Sequence, residues 1–430
     1  MRKLALLAMV IVSAVYAQAC DPCGSCKSKS PVTPTATPSG VPTPTPSVIP
    51  TPTPTGIITP TATPTCVVGV PTTTGSLLVT DSGNQRVLEF LPPFTIGMSA
   101  SVVFGQPNFT SSGQNVTQSG MGNPEATAFD EFGNLWAGDF YFGRVIDFVP
   151  PFSNGMDAGK VIGQQNFTTN GGSSGIPASR SNMNNVVGVA FDAACRLWAG
   201  DFDNNRILGF APPFSNGMNA SLVIGQTNFT ATGAATTANG FNLPQFFTFD
   251  PAGNLWVADY SNNRVLEFTA PFSNGESASR VIGQSNFTSG AGGTSQNTLS
   301  APFGVAFDPD GDLWVADSAN LRALEFVPPF TNGMNASVVI GQANFTSANS
   351  VTTQNGLASA SDVKFDSAGN LYVADPNNNR VLIYNPNVGG PKFTNGMNAS
   401  VVIGQQNFIT ATAATSAGGM RGPLGVTIGP

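Results

Sequence analysis

Histidine is absent from the 430 residues. Without imidazole there is no Ser-His-Asp or Cys-His nucleophile pair, no imidazole-ligated zinc and no proximal-His haem. Charge is scarce as well. Asp, Glu, Lys and Arg make up 10% of the chain, against roughly 25% in an ordinary soluble protein. The 24 acids outnumber the 17 bases for a net charge of −7, so the basic footprint of nucleic-acid binding is missing. Ser, Thr, Asn, Gln and Gly stand where charges would, a composition that points to a non-cytosolic surface. The length admits two or three domains, or one large all-β domain.

What is present begins with an address. Arg2 and Lys3 precede an apolar run over residues 4–16, which is too short for a membrane-spanning helix. The run ends in Ala17-Gln18-Ala19, an A-x-A cleavage pattern, so residues 1–19 read as a secretion signal. Cys20 follows directly. The segment therefore resembles a bacterial lipoprotein signal, which implies acylation of Cys20, although Ala17 stands where that family usually has Leu. The expected location is secreted or at the cell surface, with membrane contact only through that lipid.

Four other cysteines remain, Cys23, Cys26, Cys66 and Cys195, an even number that suits disulfides in an oxidising compartment. Cys23 and Cys26 form a C-x-x-C, but no second such pair and no histidine completes a zinc site, so a local disulfide is the preferred reading. A Cys66–Cys195 bridge follows only by exclusion. From residue 30 to 65 the chain is dominated by Pro-Thr. Proline at that density lacks the amide donors for a ladder and favours extended polyproline II. Residues 20–66 thus read as a disordered spacer, with the composition of an O-glycosylated stalk.

Residues 67–430 repeat. An Asp is followed five residues later by an Arg six times: Asp81/Arg86, Asp139/Arg144, Asp201/Arg206, Asp259/Arg264, Asp317/Arg322 and Asp375/Arg380. Successive Asp residues lie 58, 62, 58, 58 and 58 apart. Each unit holds four short β-type runs, in the fifth copy Gly304–Asp308, Leu313–Asp317, Arg322–Phe326 and Ala336–Gly341. Four strands per unit at fixed period, with no helical periodicity, are the signature of a β-propeller. The first copy lacks a first strand, and residues 422–428 read as a first strand with nothing after it. Pairing them closes the ring and removes two bare edges. The expectation is an all-β, six-bladed propeller of four-stranded antiparallel blades, closed by the C-terminal strand.

At this point the chain resembles the NHL-repeat family, on Asp259-Tyr260-Ser261-Asn262-Asn263-Arg264-Val265 and Asp375-Pro376-Asn377-Asn378-Asn379-Arg380-Val381. The units exceed that family's common length. The resemblance also raises enzymes, because some similar propellers are lyases or hydrolases with a metal in the central channel. The lyase types depend on histidines, which this chain lacks. A calcium lactonase type needs acidic and Asn side chains from different blades. The nearest cluster here is Asp308, Asp310 and Asp312 in one turn. It is a weak calcium candidate without a distal bidentate Glu, and a solvated turn is preferred. No cofactor is expected.

The Asp–Arg pairs read as structural, since catalysis needs one special place and these occur six times. The carboxylate is expected to accept turn amides and to pair with the guanidinium. Trp136, Trp198, Trp256 and Trp314, with Leu78 and Tyr372 in the other blades, read as inter-blade packing; a carbohydrate-stacking ring is the sharper alternative. Asn108, Asn166, Asn228, Asn286 and Asn344 in Asn-Phe-Thr, Asn219, Asn335 and Asn398 in Asn-Ala-Ser, and Asn115 in Asn-Val-Thr are glycosylation sequons. Turn chemistry alone also produces such triplets. The symmetry breaks at Cys195, at an insertion near residues 387–392, and at Phe140-Tyr141-Phe142-Gly143. The functional expectation is a non-catalytic extracellular module that binds a protein or glycan or serves as a scaffold. The alternatives are a subunit that assembles with copies of itself, or a metal-dependent hydrolase or lyase.

Overall fold

The structure, a computed structural model, describes residues 75–172 and 176–430. The signal, Cys20, Cys23, Cys26, Cys66 and the Pro/Thr segment lie outside the described residues.

Six four-stranded antiparallel sheets form six blades. Blade 4 runs Pro244–Phe249, Leu255–Asp259, Arg264–Phe268 and Arg280–Ile282 from the channel outward. Blades 2, 3, 5 and 6 repeat that order from inner strands Pro124–Phe129, Val186–Phe191, Pro302–Phe307 and Asp362–Phe365. Blade 1 takes its inner strand, Pro423–Ile428, from the C-terminus, followed by Leu77–Asp81, Arg86–Phe90 and Val102–Phe104. The expected closure is therefore observed. Among the described residues no helix is long and apolar enough to cross a membrane.

The second strands read as unbroken apolar runs because both of their faces are covered by neighbouring blades. Leu313–Asp317, for example, is buried at every position. Trp136, Trp198, Trp256 and Trp314 are fully buried. Each packs edge-on or tilted against two phenylalanines of the next blade, as Trp256 does with Phe307 at 5.6 Å and Phe330 at 5.0 Å. Tyr372 meets Phe94 across the blade 6–blade 1 boundary at 6.0 Å. These rings fill the wedges between sheets and offer no stacking face to a sugar.

The closing strand is held from both sides. The Gly425 amide donates to Thr80 Oγ1 at 2.7 Å, and that hydroxyl donates to the Glu125 carbonyl at 3.1 Å. Ser361 Oγ donates to the Leu424 carbonyl at 2.6 Å, and the Val426 amide donates to Asp362 Oδ2 at 3.0 Å.

Two faces result. The front carries the Asp–Arg turns between second and third strands and the entry loops that lead from each fourth strand to the next inner strand. The back carries the turns after the inner strands and the outer loops between third and fourth strands.

Candidate functional site

The Asp–Arg turns are the framework of the front face. All six pairs, Asp81–Arg86, Asp139–Arg144, Asp201–Arg206, Asp259–Arg264, Asp317–Arg322 and Asp375–Arg380, are fully buried, with Arg Nε to Asp Oδ2 between 2.6 and 2.9 Å. The expected pairing is therefore present, and the other carboxylate contacts come partly from the turn, as with the Phe142 amide on Asp139, and partly from the chain ahead of the inner strand. In blade 4, Asp259 Oδ1 accepts the Asn242 amide just ahead of the inner strand, at 2.7 Å, and Oδ2 accepts the side-chain amide of Asn262 at 2.9 Å. The turn's own backbone amides are engaged elsewhere, Asn263 on the Tyr260 carbonyl at 3.1 Å and Ser261 on the Asn242 carbonyl at 3.0 Å. Arg264 completes the hub by donating to the Phe287 carbonyl on one entry loop and to Thr237 at 2.8 Å and Gly240 at 3.0 Å on the other.

Blade 3 is arranged in the same way. Asp201 Oδ1 accepts the Asn184 amide at 2.7 Å and the Asn204 side-chain amide at 2.9 Å. Arg206, read from the sequence only as the partner of Asp201, has a wider role. It also donates to the Phe229 carbonyl on one entry loop and to Ser179 at 3.0 Å and Asn182 at 3.1 Å on the other. The physical reason is that a guanidinium carries five N–H donors and the carboxylate engages only Nε, so a buried Arg206 must find carbonyls for the rest. One buried guanidinium thus fastens two long loops whose backbone would otherwise lack partners. Burial outweighs the guanidinium in setting proton affinity: the Asp carboxyls sit above their usual range, Asp139 and Asp259 at about 6.

The channel mouth on this face is not six-fold symmetric. The residue after each Asp is Phe140, Phe202 and Tyr260 in blades 2 to 4, but Ser318, Pro376 and Ser82 in blades 5, 6 and 1. Phe140 and Phe202 lie 6.0 Å apart, and Tyr260 stands edge-on to Phe303 of the blade 5 inner strand at 6.1 Å. Phe303 in turn meets Phe246 at 5.1 Å. One half of the mouth is therefore an aromatic arc and the other half small and polar. Within the Phe140–Gly143 segment only Tyr141 is an exposed aromatic, at 45%, while Phe140 and Phe142 are buried. Phe142 stands where other blades carry the Asn, and it lies under Arg144 at 5.2 Å.

Beside the arc, the inner strands of blades 2 and 4 place Glu125 and Gln245 at matching positions. Glu125 is 6% exposed. Its Oε1 accepts from Asn123 Nδ2 at 3.0 Å, and its Oε2 has no partner. Burial against that single hydrogen bond pushes the Glu125 carboxyl up to about 8, so it is a neutral acid at physiological pH. Gln245 Oε1 is also buried and unpartnered. Toward the back the channel widens into a cavity of about 200 Å³ lined by Thr127, Ala190, Phe247, Thr248, Lys364 and Thr427. Lys364 is paired with the buried Asp362 at 3.3 Å.

Residues 241–268, from the end of an entry loop through the Asp259–Arg264 turn to the end of the third strand, match the NHL repeat family model. The chain is a six-bladed propeller with one blade that matches the NHL repeat. No curated protein sequence matches the chain. Among solved structures it is similar to a protein of unknown function from Bacteroides caccae, with 9% identity over 82% of this chain and 98% of that one, and a TM-score of 0.47. It is similar to a chain of a nidogen/laminin complex at 16% identity, covering 76% and 97%, with a TM-score of 0.45. A streptogramin B lyase matches at 11% identity, covering 72% and 79%, with a TM-score of 0.40. Likeness at these levels carries no activity across.

The repeated blade framework also explains the acidic cluster. Asp308 is the blade 5 copy of a turn aspartate that recurs as Asp130, Asp192, Asp250 and Asp366, and its Oδ1 accepts the amides of Asp310 and Asp312 at 2.9 and 3.0 Å. Lys392, from the blade 6 insertion, reaches Asp310. An ammonium thus already neutralises part of this site, which fits a structural ion pair better than a calcium ligand set. In blades 2, 4 and 6 an asparagine, Asn134, Asn254 or Asn370, donates to the turn Asp at 2.7–2.8 Å. Asp312 occupies that place in blade 5 and cannot donate. The neighbouring Trp314 Nε1 is left buried and unpartnered, whereas Trp136, Trp198 and Trp256 donate to their turn Asp at 2.9–3.0 Å. Asp312→Asn restores the donor and removes a like charge, so thermal denaturation should show a gain of about 1 kcal/mol. No gain would mean that Asp312 has a partner of its own.

Asn108, Asn166, Asn219, Asn228, Asn286, Asn335, Asn344, Asn398 and Asn115 are all exposed. In the five Asn-Phe-Thr triplets each Asn Oδ1 accepts the amide two residues on, as Asn286 does from Thr288 at 2.9 Å. This is the local turn chemistry that the triplets suggest. Cys195 takes the place of the left-handed turn glycine, at φ 58°, and is disulfide-bonded. Every other cysteine of the sequence falls within residues 1–74.

Glu125, Gln245, Asp362 and Lys364 were missed from the sequence. The signal that finds them is alignment of the six inner strands. Lys364, for example, stands against Ala128, Ala190, Thr248, Ala306 and Thr427.

Proposed function

We propose that this propeller is a non-catalytic extracellular binding or scaffold module that takes a protein or glycan on its front face. The observation that carries the reading is the division of labour there. Every repeated charged side chain is spent on fastening loops, while the residues that depart from the repeat form a half-ring of aromatics around the channel mouth. Its accessible members, Tyr141, Tyr260 and Phe303, supply contact area at low entropic cost over a buried base of Phe140 and Phe202, and the neutral Glu125 acid and Gln245 add hydrogen bonds beneath.

The test uses the purified full-length chain, immobilised and screened against neutral polysaccharides and the extracellular proteins of its source cells. A Tyr141→Glu change at the exposed end of the arc should weaken the ligand found by about tenfold. Size-exclusion chromatography of the same samples separates a foreign ligand from self-association. Turnover of an ester, lactone or glycosidic substrate that disappears on chelation would overturn the non-catalytic reading.

A further inference from the structure

Five of the six blade boundaries share one set of contacts. The outer loop of each blade offers an asparagine whose Oδ1 accepts an amide from the fourth strand of the blade before it. Val103 donates to Asn154, Val161 to Asn216, Val223 to Asn274, Val281 to Asn332 and Val339 to Asn395, all at 2.9–3.0 Å. The following glycine amide returns a bond to the same residue, as Gly333 does to the Val281 carbonyl at 3.3 Å. At three of these boundaries a glutamine of the entry loop also donates across the gap: Gln118 to Ala158, Gln296 to Ala336 and Gln354 to Ala399, at 2.6–2.8 Å.

The sixth boundary, between the last blade and the first, departs at each of these points. Ile96 replaces the asparagine, and among the described residues Val402, the corresponding fourth-strand residue, receives neither the side-chain nor the glycine bond. Ala417 stands in place of the glutamine, as Ala238 does between blades 3 and 4, and Gly418 stands where that boundary has Asn239. Of this set, the backbone bond between the outer and entry loops is kept, from the Ala100 amide to the Ala417 carbonyl at 2.8 Å. The lost side chains leave a cavity of about 520 Å³ between the two loops. Its lining includes Ser99, Gln406, Thr410 and Ser416 over a floor of glycine and alanine, and no ionisable residue. On the same two loops Ile96 is 45% exposed. Ile409, where the other five blades carry threonine, is 74% exposed. Leaving the buried Val402 amide without its partner is costly. Repeat proteins break a stabilising pattern in this way where a site needs the space.

We propose that this closure seam is a binding cleft for an uncharged oligosaccharide. The volume suits a ligand of about two or three sugar units. The lining carries no charged side chain and so offers an ionic ligand no counter-charge. Gln406 and the serine hydroxyls offer both donors and acceptors to sugar hydroxyls, and the small residues of the floor allow a ring to approach the backbone. Ile96 and Ile409 flank the opening with apolar surface for the C–H faces. The cleft lies outside the channel and does not depend on the aromatic arc.

The test is calorimetric titration of the full-length chain with maltotriose, cellotriose, mannotriose and chitotriose. At least one should bind. The triple variant Ile96→Asn, Ala417→Gln, Gly418→Asn puts back side chains that other boundaries carry. It should lose that affinity by about tenfold or more, while its melting temperature rises by about 2 °C or more. Tyr141→Glu should leave the titration unchanged, which separates this site from the front face. If no trisaccharide binds, if the filled seam binds as well as the parent, or if only peptides compete for the cleft, the proposal is wrong.

Discussion

An Arg264→Met variant is expected to lose about 3–5 kcal/mol of stability, because the change strands Asp259 as a buried charge without its partner. The side chain is fully buried and makes one ion pair and three carbonyl contacts. Its removal also frees two entry loops that hang from it on either side of the blade. For a domain of this size each kcal/mol shifts the midpoint by about 2–4 °C, so the thermal transition should fall by roughly 10 °C. Arg264→Lys keeps the charge but loses the planar fork that reaches both loops, and should lie between parent and Met. In the double variant Asp259→Leu, Arg264→Met neither charge remains, and the loss should be smaller than the sum of the two single changes. Equal stability of Arg264→Met and parent, read by calorimetry, would show that the six turns do not carry the loops.

The second large effect concerns pH. Glu125 has an ordinary value of 4.5 and a folded value of about 8. The folded chain therefore binds the proton more tightly than the unfolded chain. The stability this proton contributes is complete below pH 4.5 and is lost as pH rises through about 8. The difference of ~3.5 units corresponds to about 5 kcal/mol at order of magnitude. Glu125→Gln keeps the acceptor for Asn123 and cannot ionise. Variant and parent should therefore be nearly equal at about pH 4, and the variant should be several kcal/mol more stable at about pH 9. The raised carboxyls of Asp139 and Asp259, at about 6, add a slope of the same sign at lower pH. They are common to both proteins, so the difference curve isolates Glu125. Parallel curves across this range would contradict a buried neutral acid at the channel mouth.

Much of the architecture was legible because the repeat states it six times. The Asp–Arg spacing, the apolar second strands and the unpaired strand at each end of the repeat lead to six blades and a C-terminal closure without any contact information. The site was less legible, for a physical reason. In a propeller the informative residues are single departures from a column of equivalents, and they have meaning only when the columns meet in space. Glu125 and Gln245 are separated by about two repeats, yet sit at the same height in the ring. Ile96 and Ile409 are at opposite ends of the domain sequence and flank one seam.

The sequence by itself determined the strand content, the blade count, the closure and the exclusion of histidine chemistry, since all of these follow from local pattern and composition. It also read the Asp–Arg pairs as ion-paired turn residues, although it assigned all their amide partners to the turn and gave arginines such as Arg206 no loop to hold. Only the tertiary structure decided that some of those partners lie ahead of the inner strand, that the tryptophans are sealed between sheets, and that a lysine already reaches the Asp308 cluster. Closing the ring juxtaposes loops far apart in the chain, and burial then selects which of their polar groups find partners. Neither can be read from spacing along one strand of text.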